Sequence, residues 1–169
     1  MGDLARIVST VLESSNITAV LSGGAAVSIY TENRYKSRDL DFVTSAETEL
    51  IEAALEPLGF KREKNSRYFL HDETDYMLEF PPAPLAVGNK LIGEWSQLEI
   101  GGGVIHILSP TQMVMDRLAA YFHWHDPQSL EQALWIARDH TLDLQELKEW
   151  AEAENSPDQF AIFLRRAKL

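Results

Sequence analysis

The stretch Leu21 to Val43, LSGGAAVSIYTENRYKSRDLDFV, constrains the chain more than any other, because it joins a glycine bend to a pair of closely spaced carboxylates. An apolar run, Ile17 to Leu21, leads into Ser22, Gly23 and Gly24; a short apolar helix pattern follows, and a polar loop returns to Asp39-Leu40-Asp41-Phe42. Glycines, lacking Cβ atoms, let a strand turn sharply into a helix and bring the backbone close to a ligand. Unpaired N–H groups at the helix start then favour phosphate oxygens. On a strand, the period of two puts Asp39 and Asp41 on one face and Leu40 and Phe42 on the other. Carboxylates that close repel unless a cation lies between them, and with water and substrate phosphates they are the ligand set Mg²⁺ prefers.

Tyr76-Met77-Leu78-Glu79-Phe80 reads as a further core strand, halted by Pro81, Pro82 and Pro84. Glu79 is flanked by Leu78 and Phe80, and a carboxylate inside a sheet is costly unless it is paired or holds a metal. Asp72 and Asp75, nearer the turn, are rivals for such a role, and an edge-strand glutamate facing water is the bland alternative.

The order strand, Gly-Gly, helix, then Ser-x-Asp-x-Asp (Ser37, Asp39, Asp41) resembles the signature of the DNA polymerase beta-type nucleotidyltransferase superfamily. Within it the chain is similar to small stand-alone bacterial and archaeal members, including relatives of nucleotidyltransferase toxins of abortive-infection systems. The resemblance implies Mg²⁺-dependent transfer of a nucleoside monophosphate from an NTP to a hydroxyl or similar acceptor, with a pair of ions as the usual arrangement. It implies that Asp39 and Asp41 are catalytic metal ligands and that Glu79 fills the place of the superfamily's third carboxylate, usually Asp, where it faces the acceptor. Ser22, Gly23 and Gly24 would cradle the β- and γ-phosphates, and Ser37 and Arg38 would steady the loop. Arg117 stands nearest to the helix Lys that many members use on a phosphate, although its planar fork differs from an ammonium point charge.

The implied fold class is α/β (α+β): a mixed sheet of about five or six strands flanked by helices, with residues 1–108 as the nucleotidyltransferase core and 109–169 as a helical region packed on it. The residues read the same way. Leu4, Ile7, Val8, Val11 and Leu12 form the stripe of an amphipathic helix. Ser45 is expected to cap a helix through Leu58, and Phe60 to Lys64 and Arg67 to His71 to form a hairpin about Asn65-Ser66. Leu85 to Trp95 reads as irregular; Gln97 to Ile100 and Val104 to Leu108 flank a triple-glycine turn. After Leu108 four helices are expected, the first begun by Ser109-Pro110 and the second capped by Ser129. His123, His125 and Asp126 look like metal ligands, but Pro127 beside them favours a helix-end loop.

Charge narrows the partners. Twenty-six acids against 15 Lys and Arg give a formal charge of −11, which repels nucleic acid at long range, so DNA is not expected as a partner. A basic rim of Arg34, Lys36, Arg38, Lys61, Arg62, Lys64 and Arg67 leaves a triphosphate, an RNA end or a protein acceptor open, although for each of these charges a solvated face is the plainer reading. The start, MGDLARIVSTVLESS, lacks the basic, then apolar pattern of a signal peptide, and no run reaches membrane-spanning length, so a cytoplasmic location is expected. Two further readings stay open: a binding module that kept the fold and lost turnover, and a toxin or antitoxin component whose acidic surface engages a basic neighbour.

Overall fold

The computed structural model describes residues 1–64 and 66–169. In chain order the elements are α1 (Gly2–Ser14), β1 (Val20–Ser22), α2 (Gly23–Tyr30), β2 (Asp39–Val43), α3 (Thr48–Leu55), β3 (Lys61–Arg62), β4 (Tyr68–His71), β5 (Thr74–Glu79), β6 (Ala86–Val87), β7 (Lys90–Leu91), β8 (Ser96–Ile100), β9 (Gly103–Ile107), α4 (Pro110–Trp124), α5 (Pro127–Asp139), α6 (Leu144–Ala153) and α7 (Pro157–Ala167). Nine of these are strands. Seven form one mixed sheet in the order β3-β4-β5-β2-β1-β9-β8, and β6 and β7 make a separate ribbon. The two-residue β3 at one edge takes the sheet past the expected five or six strands.

The acidic strand β2 is central. It pairs antiparallel with β1 and parallel with β5, while β1 pairs parallel with β9. Leu40 and Phe42 lie wholly in the core with Leu21, Leu78, Phe69, Ile105 and Ile107, and Phe42 stacks on Phe80 at 5.9 Å between ring centres. Burial of each such side chain stabilises the fold by about 1.5–3 kcal/mol, which fixes the register of β2 and so forces its aspartates onto the other face.

Helix α2 lies on β1 and β2 and also touches α4 and α5, so the helices after Ile107 share one core with the sheet. Tyr30 Oη donates to Leu108 O at 2.7 Å, joining the end of α2 to the start of the helical region. No helix among the described residues is long and apolar enough to cross a membrane.

Several local expectations shift. Helix α3 starts after Glu47, without a side-chain cap, rather than at Ser45. Thr44 Oγ1 donates to Thr18 O and accepts from Ala46 N, which holds this segment in a turn before the helix begins. Helix α5 is capped by Asp126, not Ser129: Asp126 accepts from Gln128 N and from the Ser129 hydroxyl, with Pro127 at the first helical position. The capping box at Ser109 and Gln112 is complete. The segment from Leu85 to Trp95 contains the β6–β7 ribbon, held by contacts from far along the chain: Trp150 Nε1 donates to Val87 O, and Asn89 N donates to Glu154 Oε1. β3 and β4 pair antiparallel, but the Asn65-Ser66 turn lies in part outside the described residues, at Asn65.

Candidate active site

The glycine bend and the acids meet along one row of the sheet. In the β1–β2–β5 register, Ser22 stands opposite Asp41 and Asp41 opposite Glu79, so three strands bring Ser22, Asp41 and Glu79 side by side. Glu79 is therefore on an interior strand, between β4 and β2, and not at an edge. Asp39 pairs with Met77 at the start of β2 and is exposed.

Gly23 has a positive φ of 60°, and a Cβ there would overlap Asp41 Oδ2. The bend thus needs glycine twice: for a backbone angle that side chains disfavour, and because the Asp41 carboxylate fills the space beside it. A Cβ at Gly24 would come within 2.8 Å of Ser37 Oγ. Ser37 fixes the loop between α2 and β2, its N–H donating to Ser28 Oγ and its hydroxyl donating to Asp39 O at 3.0 Å. Ser22 Oγ donates to Asp41 O at 3.4 Å.

Asp41 is the electrostatic centre. Burial pushes its carboxyl up from 3.8 to about 7; a hydrogen bond with Glu79 and the negative charges of Glu79, Asp39 and Asp116 push in the same direction. The acids of this site therefore face one another with too little positive charge among them. Glu79 has one cationic neighbour, Arg67, whose Nε lies 2.5 Å from Glu79 Oε1.

Oxygen donors with unneutralised negative charge suit a hard divalent cation in kind and in sign. Among the described residues, however, no three His, Asp or Glu side chains are gathered as a finished metal cage. Glu79 is drawn toward Arg67, and Asp39 is exposed at the strand start. That is compatible with Mg²⁺, which usually takes one or two carboxylates and completes its shell with water and substrate phosphates.

Other candidates are engaged with partners outside this row. The rivals Asp72 and Asp75 are exposed and paired with Lys61 at 2.5 Å and Arg38 at 3.9 Å. Arg117 Nε donates to Asp116 Oδ2 at 2.9 Å and its Nη1 to Gln132 Oε1 at 3.3 Å, so its fork is engaged by α4 and α5. His123 contacts Glu154, His125 ends α4 and Asp126 caps α5, which makes that trio a helix junction. Of the rim, Arg34 pairs with Asp139, and Arg62 donates to Ser66 O. His106 accepts from Trp95 Nε1 at 3.1 Å, away from the acids.

Sequence reasoning passed over Asp116, and it counted Arg67 only as one charge of a rim. An acid beside buried Met115 on α4 was the available signal for the first. For Arg67 there was none, because its nearness to Glu79 comes from the β4–β5 pairing. Lys36, Ser37, Arg38 and Asp72 to Tyr76 line an open groove of about 850 Å³, to which Asp39, Asp41 and Glu79 do not contribute lining. It lies at the sheet end where β1 stops and both β2 and β5 begin.

No protein-family model matches the chain, and no curated protein matches it. Solved structures do. The crystal structure of ANT(2″)-Ia in complex with adenylyl-2″-tobramycin aligns over 97% of this chain and 97% of its own, with a TM-score of 0.55 at 20% identity. The solution structure of the antibiotic-resistance factor ANT(2″)-Ia covers 96% of this chain and 94% of its own, with a TM-score of 0.54 at 20% identity. An antigenic nucleotidyltransferase-like protein from Paracoccidioides brasiliensis aligns over 97% of this chain and 91% of its own, with a TM-score of 0.64 at 15% identity. With a seven-stranded mixed sheet, a glycine bend opening α2 and nearly the whole chain covered by these alignments, the chain has the nucleotidyltransferase fold.

Proposed function

We propose that the protein transfers a nucleoside monophosphate from an NTP to an acceptor hydroxyl and releases pyrophosphate. The observation that carries this reading is the Ser22–Asp41–Glu79 row, which sets two carboxylates side by side on neighbouring strands beside the Gly23 bend. Asp39, Asp41 and Glu79 would hold Mg²⁺. When bound, the ion would neutralise charge on the reacting phosphate and help ionise the acceptor hydroxyl. Gly23 and Gly24 open α2, so their N–H groups and the Ser22 hydroxyl are suited to the β- and γ-phosphates. Ser37 keeps Asp39 and Ser28 of α2 in one frame. Glu79, side by side with Asp41 in the β2–β5 register, would accept the acceptor's proton as the new P–O bond forms and pyrophosphate leaves. Arg38 would steady the loop through Asp75, and Arg117 would order α4 through Asp116.

The net charge of −11 argues against a nucleic-acid acceptor. A groove of about 850 Å³ with both cations and acids suits a polar small molecule. One structural neighbour was crystallised with an adenylyl-tobramycin, which makes ATP and small hydroxylated compounds the first donor and acceptors to try. A second reading, a module that binds NTP without turnover, is favoured by a glutamate at position 79, where the superfamily it resembles usually carries the shorter Asp.

Calorimetric titration with ATP and MgCl₂, and transfer of α-labelled phosphate to a panel of small hydroxylated compounds, RNA and protein, test both. Saturable Mg²⁺-dependent binding and label transfer are expected in the wild type and neither in the Asp39→Ala/Asp41→Ala double variant. Binding without transfer to any acceptor selects the second reading. A folded wild type that binds neither nucleotide nor metal removes both.

A further inference from the structure

Arg67 differs from the other cations of the rim. Arg38–Asp75 and Lys61–Asp72 are pairs between exposed side chains, but Arg67 bonds an acid whose side chain is only 14% exposed. Its backbone is fixed as well: Phe80 N donates to Arg67 O at 3.1 Å, and the next residue, Tyr68, stands opposite Glu79 in the β4–β5 register. The guanidinium lies 6.0 Å from the Tyr68 ring centre, while its side chain remains 55% exposed. Glu79 thus sits between two partners of opposite character, the acid Asp41 on one strand and the cation Arg67 on the other.

We propose that Arg67 is a positioning residue for Glu79: it serves as the site's internal counter-cation, and a divalent ion must draw Glu79 away from it to bind. This rests on the nucleotidyl-transfer reading, in which Glu79 is a metal ligand. A guanidinium on the Glu79 carboxylate offers the charge that a metal would offer, so the two compete for the same oxygens. Because Arg67 is half-exposed and held by its backbone, it can release Glu79 without unfolding β4. Occupancy by metal alone is therefore kept low, and a nucleotide that brings its own metal-binding phosphates overcomes the competition.

The test uses the full chain and Mn²⁺ alone, with free Mn²⁺ read by electron paramagnetic resonance. Arg67→Gln is expected to bind Mn²⁺ about fivefold more tightly than wild type, and Arg67→Lys, which restores the charge, to return most of the way. Circular dichroism and thermal unfolding confirm that each variant is folded; if Arg67→Gln is not, Arg67→Met, which keeps the apolar stem, takes its place. A purely structural role would weaken Mn²⁺ binding or leave it unchanged. Wild type that binds Mn²⁺ with R67Q no tighter overturns the role of Arg67 and leaves nucleotidyl transfer standing. Absence of Mn²⁺ binding in wild type and R67Q alike overturns the role of Arg67, and the titration with ATP and MgCl₂ together then decides the transfer reading separately.

Discussion

Glu154 and Asp41 are both carboxylates drawn in from solvent, and their surroundings are opposite. Glu154, at the end of α6, has a side chain only 1% exposed, yet it accepts from Asn89 N at 2.6 Å and Asn89 Nδ2 at 3.1 Å and contacts His123 Nε2 at 3.0 Å. Asp41, less deeply placed, has Glu79 beside it on the neighbouring strand and the charges of Asp39 and Asp116 acting on it as well. The first arrangement satisfies a buried acceptor and ties the β6–β7 ribbon to α4 and α6. The second leaves a charge imbalance that folding alone does not require. An acid with donors around it holds a fold together; acids facing one another mark a candidate functional site.

The comparison breaks most readily at Asp41. Asp41→Asn is expected to lower nucleotidyl transfer by about a thousandfold or more, the scale of losing a charge that holds a metal at the reacting phosphate, measured by label transfer at saturating ATP. The same variant should be more stable than wild type near pH 8. The Asp41 carboxyl is raised from 3.8 to about 7 in the fold, so between those values the folded state binds more protons than the unfolded. Stability from this group is full below about pH 4 and is lost as pH rises through about 7. Urea unfolding of wild type and variant across pH 4 to 8 should show the gap widening toward high pH by roughly 2 kcal/mol once solvent screening is allowed for. Millimolar Mg²⁺ should narrow it. A gap that closes with rising pH would show that Asp41 is stabilised by its neighbours rather than crowded by them.

Glu154→Ala should do the reverse. It leaves the Asn89 donors and His123 without their acceptor and opens space among buried groups, a loss of about 3 kcal/mol by urea unfolding. Label transfer by the fraction that remains folded should be close to wild type. Gly23→Ala falls between: the positive φ and the overlap with Asp41 Oδ2 should cost about 2 kcal/mol and also displace the carboxylate, so that stability and transfer fall together.

The contrast also explains what could be read before the structure. Period-two patterning placed Leu40 and Phe42 inward and the aspartates outward, and periodicity located α1, β2, β4 and α7 to within a few residues, because those signals are local. The pairing of Asp41 with Glu79 could only be suspected, since parallel strands have no hairpin to announce their register. Glu154 carried no signal at all: an acid near the end of an amphipathic helix is ordinary until a ribbon from residues 86–91 closes over it. Arg67 was hidden for the same reason, its role being set by a neighbour on another strand.

Asp126 supplies the smallest effect and the sharpest control on sign. It is a surface carboxylate met by donors, the Ser129 hydroxyl foremost and then the Gln128 and Ser129 backbone N–H groups, and these hold its carboxyl below the usual range. Removal of such a helix cap costs about 1 kcal/mol, so Asp126→Ala should be less stable than wild type by that amount at pH 7. The unfolded chain binds the proton more readily here, so the stability that Asp126 adds is present above the unfolded pKa of about 3.8 and is lost as pH falls through the lower folded value. Unfolding from pH 6 down to pH 2 should bring the two curves together. Asp41→Asn and Asp126→Ala would then diverge from wild type over different pH windows and in opposite directions. That opposition is what distinguishes an acid placed among acids from one placed among donors; two variants with the same pH trend would remove the distinction.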